Sequence, residues 1–247
     1  MSDVKVTFLG SGDAFNSGGR LHTSIFIHRK RHSFLIDCGP SVLAAIRRLH
    51  IDPNEIAFIL LSHLHGDHFG GIPFFILDAH FMSKRTTPLL IAGPPGTKQR
   101  ITDLMEVMFP GSTHNKYKFA LDIVEYDLEK ENVFHDVHVH TFPVKHPSGS
   151  PSLALRLEFD HKVVTFSGDT EWVDELIHAA HGADLFITEC YAYDQDVKFH
   201  LNYQTLSAHI GEIKAEQIVL THLNQDMLSH LKDLSIPFAV DGKTFVI

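Results

Sequence analysis

The chain has 247 residues, 44% of them hydrophobic, with a formal net charge of −9 and 20 histidines. That length and apolar content suit one large core and exclude a disordered or fibrous chain. The acidic balance excludes a surface built throughout for nucleic acid, because neutralising phosphates needs clustered Lys and Arg.

The opening, MSDVKVTFLGSG, lacks a basic segment followed by a long apolar one, and no later apolar run approaches the roughly 20 residues that span a bilayer. With only Cys38 and Cys190, each inside an apolar strand-like run, neither a disulfide framework nor a thiolate metal site is expected. The sequence reads as a soluble, unprocessed cytoplasmic protein. Short runs rich in Val, Ile and Phe then recur, each closed by Gly, Pro, Asp or Ser, and each predicts a strand. In chain order they are VKVTFLGSG, TSIFIH, SFLIDCG, AFILLS, PLLIAGPPG, VHVHTFPV, SLALRLEF, KVVTFSGD, LFITEC, QIVLTHL and FAVDG. Helical spacing falls between them in SVLAAIRRLHI after Pro40, KQRITDLMEVMF after Thr97, WVDELIHAAHG after Glu171 and LSAHIGEIKA after Thr205. IPFFILDAHF follows that pattern with phenylalanines at helical spacing and reads as core, with a pocket wall as the alternative. The basic stretch His28-Arg29-Lys30-Arg31-His32 lies between two strands and reads as a solvated hairpin turn. No linker or fixed-period repeat divides the chain, so residues 1–247 read as a single α/β domain of two sheets covered by helices.

One segment carries more coordinating power than a turn needs. In LLSHLHGDHFGG, residues 60–71, His63, His65, Asp67 and His68 crowd together directly after a buried-looking strand. Three later strands end in the same way, with His146 after HTFPVK, Asp169 after VVTFSG and His222 after IVLT. A sheet brings strand ends to one rim, so residues distant in sequence can converge there. His63, His65, Asp67, His68, His146, Asp169 and His222 therefore form the candidate ligand set. That many nitrogen and oxygen donors exceed the needs of one tetrahedral ion and suit two ions sharing a carboxylate, with His63 and His65 on one, and Asp67 and His68, turned by Gly66, reaching the other. Without thiolates the metal is expected to be zinc, with manganese or iron as competitors. His138 and His140 alternate on one strand face and read as solvent-facing.

HLHGDH, together with His146, Asp169 and His222, resembles the signature of the metallo-β-lactamase superfamily, and the likeness extends over nearly the whole chain, through FLGSGDAF and FLIDCGP. It implies a four-layer αββα sandwich with two metals at one edge. His63, His65 and His146 would hold the first ion, Asp67, His68 and His222 the second, and Asp169 would bridge them. Within the superfamily, SHLHGDH, SGDT, KFHLNYQTL and LTHL resemble the ribonuclease Z branch, which includes a cyclic-phosphate phosphodiesterase. That likeness implies that His200 acts near the phosphate and that Glu189, in Ile187-Thr188-Glu189-Cys190, orients it. The glycine- and proline-rich arm with which ribonuclease Z relatives grip transfer RNA has no counterpart in this sequence.

The expected activity is hydrolysis of a small or nucleotide-like phosphodiester. A water between two ions loses a proton near neutral pH, Asp67 holds the resulting hydroxide and takes its proton, and His200 serves the leaving side. Ser148 and Ser152 are candidates for hydrogen bonds to phosphate, or plain turn residues. Three alternatives stand beside this reading: transfer RNA 3′-processing by a ribonuclease Z, hydrolysis of a lactone, thioester or arylsulfate on the same ions, and a non-enzymatic metal-bound binding module. RNA stays open as a substrate, no membrane partner is expected, and symmetry statistics suggest a homodimer.

Overall fold

Strands whose consecutive side chains are all apolar are buried on both faces, and only a sheet covered on both sides accommodates them. The computed structural model describes residues 4–247 and has two such sheets. The first contains β1 (Lys5–Gly10), β2 (Ser24–His28), β3 (Ser33–Ile36), β4 (Ile56–Leu60), β5 (Leu89–Gly93) and β6 (Leu121–Glu125). The second contains β7 (Asn132–Phe134), β8 (Val137–Val144), β9 (Ser152–Phe159), β10 (Lys162–Phe166), β11 (Leu185–Glu189) and β12 (Ile218–Thr221). A final strand, β13 (Thr244–Val246), returns to the first sheet beside β1. The orders are β13-β1-β2-β3-β4-β5-β6 and β12-β11-β10-β9-β8-β7.

The helices are α1 (Val42–Arg48), α2 (Gly66–Phe69), α3 (Ile72–Phe81), α4 (Thr97–Met108), α5 (Glu175–Ala180), α6 (Tyr203–His209) and α7 (Gln225–Ser229). Alternation along the strands decides what each face meets. Phe34, Ile36, Phe58 and Leu60 of the first sheet pack against Leu155, Leu157, Leu185 and Ile187 of the second. Leu35, Ile59 and Ile91 face the other way, onto Ile46 of α1, Ile72 and Phe75 of α3, and Ile101 and Met105 of α4. Behind the second sheet, Phe186 and Leu220 pack on Leu176 of α5, Leu206 of α6 and Met227 of α7. These four layers form the expected αββα sandwich. No helix among the described residues is long and apolar enough to cross a membrane.

Directionality places the site. Strands β3 to β6 run parallel, as do β10, β11 and β12, and β8 is antiparallel to β9, which is antiparallel to β10. The chain therefore leaves β3, β4, β8, β10, β11 and β12 at one rim.

Several local expectations shift. FAVDG is no strand; it adds a single bridge, Leu220 to Phe238, and the C-terminal strand is β13 instead. Helix α6 starts before Thr205, because the Asn202 side chain caps it by accepting from Thr205 N at 2.8 Å. The basic turn is a hairpin between β2 and β3, but Arg29 within it is buried, with its guanidinium over the Phe159 ring and paired with Asp136 and, at 3.0 Å, Asp160. His138 and His140 face solvent, both within 3.2 Å of Glu131.

Candidate metal centre

Each strand end delivers one part of the site. After β4 the chain runs extended through His63 to His65, which is the N-cap of α2, so that Asp67 and His68 lie on the first turn of that helix. Gly66 takes ordinary helical backbone with open space where a Cβ would sit. The turn expected of its flexibility is instead made by α2. The glycines that matter here are Gly39 and Gly71, where a Cβ would overlap the backbone carbonyls of Asp67 and Gly39 respectively. They let the loops after β3 and after α2 cross in contact, tied by Cys38 N–H donating to His68 O at 2.6 Å and Gly71 N–H to Cys38 O at 2.8 Å.

The seven candidate ligands converge. His63, His65 and His146 bring their donor atoms within 4.8 Å of one another, as do Asp67, His68, Asp169 and His222. Asp169 stands between the two groups: its Oδ2 is 3.8 Å from Nε2 of both His63 and His146, and 3.3 Å from Nε2 of both His68 and His222. Asp67 Oδ2 lies 3.2 Å from His222 Nε2 and 3.3 Å from His68 Nε2. Donors arranged tetrahedrally at zinc distances of about 2.0–2.1 Å are separated from one another by roughly 3.3 Å, the spacing of the Asp67–His68–Asp169–His222 group, while in the other group His65 Nδ1 and His146 Nε2 are 2.9 Å apart. His63 Nε2, His68 Nε2 and Asp169 Oδ1 are also buried without any hydrogen bond. Buried polar atoms are normally paired, and unpaired ones within two converging donor groups fit divalent cations.

The outer partners fix which nitrogen faces inward. His68 Nδ1–H donates to Asp37 Oδ2 at 2.6 Å, Ser62 donates from N and Oγ to the same carboxylate at 2.7 and 2.8 Å, and His63 Nδ1 lies 3.1 Å from Ser62 Oγ. His146 Nδ1–H donates to Phe199 O at 2.9 Å. Such partners hold an imidazole in the tautomer whose other nitrogen can ligate. Asp37, Phe199 and His222 all occupy left-handed backbone, with φ of 58°, 70° and 60°. For residues other than glycine this costs of order 1–3 kcal/mol each, and it clusters where function over-determines the backbone.

Charge divides the cluster in two. Burial lowers the pKa of His63, His65 and His146, leaving neutral imidazoles suited to ligation. Around His68 burial opposes charge, but Asp169, Asp67 and Asp37 outweigh it and hold its pKa well above the imidazole range. Burial is likewise overcome at His222, which Asp169 and Asp67 push up to about 9. This half of the site retains protons because it concentrates negative charge, and divalent cations compete for the same positions.

Beside the cluster, His200 Nδ1 is 3.2 Å from both oxygens of Glu189. Glu189 is fully buried at the end of β11 and also accepts from the backbone N–H groups of Thr170 and Leu201. Burial works against charge on His200, but Glu189 prevails and raises its pKa. The His200 ring stacks on Tyr191, centroids 4.6 Å apart, and lies 4.9 Å from that of His146. Ser148 and Ser152 are both buried, and their hydroxyls bond each other, the Ser150 carbonyl and the His146 carbonyl, so they serve the turn. Trp172 stacks on His209, centroids 4.1 Å apart.

Sequence reasoning did not single out Asp37, Ser62 or Tyr191. Asp37 did carry a signal, since SFLID ends an apolar strand in a carboxylate just as VVTFSGD does; nothing local marks Ser62 or Tyr191.

A family model described as anti-Pycsar protein Apyc1 matches residues 4–245. A ribonuclease Z of Methanococcus maripaludis is 33% identical over 153 residues, which is 61% of this chain and 47% of that protein, so the chain spans about half the length of that relative, whereas a ribonuclease Z of Mycobacterium bovis is 25% identical over 89% of this chain and 85% of that protein. Among solved structures, the metallo-β-lactamase fold protein YhfI of Bacillus subtilis superposes with a TM-score of 0.78 at 22% identity, covering 100% of both chains. The short form of human tRNase Z superposes with a TM-score of 0.79 at 23% identity, covering 98% of both. The fold is thus the metallo-β-lactamase fold, and this chain belongs to the family described as anti-Pycsar protein Apyc1.

Proposed function

We propose that the chain is a metal-dependent phosphodiesterase acting on a small or nucleotide-like phosphodiester. The observation that carries this reading is the position of Asp169 Oδ2, 3.3–3.8 Å from four imidazole nitrogens that belong to two donor groups. His63, His65 and His146 would hold one divalent cation, Asp67, His68 and His222 the other, with Asp169 shared and zinc the first candidate. Bound there, the pair would lower the pKa of water to roughly 7 and offset charge on the phosphoryl oxygens.

The chain's own groups divide the remaining work. Water adds to phosphorus as the bond to the leaving ester oxygen breaks. Asp67 receives the water's proton, and His200 supplies one to the departing oxygen. His200 suits this part because Glu189 binds its Nδ1, leaving Nε2 to face the substrate, and because its raised pKa keeps a proton available. Glu189 is a positioning residue: through Thr170 and Leu201 it also ties the loop after Asp169 to the segment bearing His200.

The ribonuclease Z relatives favour a second reading, cleavage of precursor transfer RNA. The family description adds a setting, action against Pycsar, and a cytoplasmic location accords with either reading. The test is metal stoichiometry measured with activity on one preparation, using bis(p-nitrophenyl) phosphate, a precursor transfer RNA, a lactone, a thioester and an arylsulfate. About two ions per chain and fastest turnover of the aryl diester support the proposal; a preference for the precursor RNA establishes the second reading, and faster turnover of a carboxylic or sulfate ester overturns both.

A further inference from the structure

Two cavities flank the histidine cluster, and they differ in chemistry. One, of about 430 Å³, includes His200 and is charged, with Glu171, Asp196 and Lys198 in its wall. The other, of about 490 Å³, opens beside Asp67, and beyond that carboxylate its wall is largely apolar, with Phe69, Phe74, Leu104 and Met108. Phe74 sets its mouth, 39% exposed and braced edge-on against Phe109 with ring centroids 5.5 Å apart. His22 also lines it, anchored by its backbone N–H donating to Ser41 Oγ at 2.9 Å.

We infer that this second cavity is the subsite for an apolar, planar substituent on the ester that stays bonded to phosphorus, and that the leaving ester lies on the His200 side. The inference rests on the phosphodiester reading above and adds a substrate orientation and a specificity determinant to it. A proton donor has to come within about 2.6–3.2 Å of the oxygen it protonates, which places the leaving oxygen by His200 and its charged cavity. In an in-line displacement the incoming and departing oxygens occupy opposite apices. The retained ester oxygen is equatorial, so its substituent leaves the line between Asp67 and His200 sideways, and of the two cavities the one that continues past Asp67 to Phe69 and Phe74 is the apolar one. An aromatic ring there covers Phe69, Leu104 and Met108 and stacks at Phe74, whereas a methyl ester leaves those surfaces wet.

The test uses two diesters with one p-nitrophenyl leaving group each, phenyl p-nitrophenyl phosphate and methyl p-nitrophenyl phosphate, so that only the retained ester differs. In the wild-type protein the aryl ester should be favoured in kcat/KM by on the order of tenfold or more, the scale on which apolar pockets discriminate. Leu104→Ser and Phe74→Ser should each reduce that ratio several-fold, mainly through KM of the aryl ester, and Leu104→Met should retain it. Calorimetry on the metal-loaded protein provides a readout without turnover: phenylphosphonate should bind more tightly than methylphosphonate, and Leu104→Ser should remove the difference. If both diesters are cleaved with equal kcat/KM and the two phosphonates bind alike, the subsite is refuted while the hydrolase reading stands. If neither diester is cleaved but phenylphosphonate still binds preferentially at the Leu104-dependent site, the hydrolase reading fails and the apolar subsite survives. A fall in preference that accompanies a change of sedimentation coefficient in Leu104→Ser, and that Leu104→Met does not rescue, would assign the surface to contact between copies and overturn the proposal.

Discussion

The two rims of the sandwich both bury charge at strand ends, and they treat it in opposite ways. At the rim opposite the donor cluster, Arg29 from the β2–β3 turn reaches Asp136 and Asp160 in the β7–β8 and β9–β10 turns, and its cation lies over Phe159. Charge there is neutralised within the chain. At the other rim Asp67 and Asp169 meet five imidazoles, with no Lys or Arg among the candidate ligands. Charge held by a guanidinium, which cannot give up its proton, belongs to the fold alone; charge held against imidazoles, which can release theirs to an incoming cation, marks a site.

The largest effect should come from removing the shared carboxylate. Asp169→Ala is expected to lower phosphodiester turnover at least ~10³-fold, about 4 kcal/mol of transition-state stabilisation, and to reduce bound metal below two ions per chain by elemental analysis. Full retention of two ions would break the assignment of Asp169 as the bridge. Next comes His200→Ala, expected to lower kcat roughly 10²-fold, the lower end of what a positioned proton donor contributes, with metal content intact. Loss of metal in that variant would move His200 from proton donor to ligand.

Asp37→Ala sharpens the comparison further, because Asp37 is buried carboxylate that the chain does satisfy, through His68 and Ser62. Outer partners of metal-binding histidines typically contribute about 10–100-fold in affinity or activity, and a chelator titration should show a loss of that size. Asp37→Asn, which keeps the shape and loses the charge, should fall between the two. Equal chelator resistance in all three proteins would reduce Asp37 to a packing residue.

Legibility in the sequence follows the same division. The donors were readable because HLHGDH is a local pattern and because His146, Asp169 and His222 each end a strongly apolar strand, so the only tertiary knowledge required was that parallel strands share a rim. The four layers were readable for a similar reason, since uninterrupted runs such as AFILLS and LFITEC require cover on both faces. What stayed hidden depends on contacts distant in sequence. Asp37 matters through His68, 31 residues away. Arg29 looked solvated because HRKRH is basic throughout, and only Asp136 and Asp160, from turns more than a hundred residues away, draw it inward. The strand TFV was too short to show periodicity; it exists because β1 offers it an edge.

Arg29 provides the smallest expected effect and the cleanest separation of the two rims. Its side chain is fully buried, but the carboxylates of Asp136 and Asp160 remain 40% and 39% exposed. Breaking a buried pair costs 3–5 kcal/mol when a charge is stranded away from water; here both surviving carboxylates can turn to solvent. Arg29→Met keeps the apolar stem against Phe159 and forfeits the cation over the ring and its ion pairs. A loss of about 1–2 kcal/mol follows, seen as a fall in Tm of roughly 2–8 °C for a chain of this size. Values of kcat/KM and metal stoichiometry should match the wild type, since no contact links Arg29 to the donor cluster. A drop in activity larger than the loss of folded protein would show that the two rims are mechanically coupled through β3, and the division drawn between them would have to be abandoned.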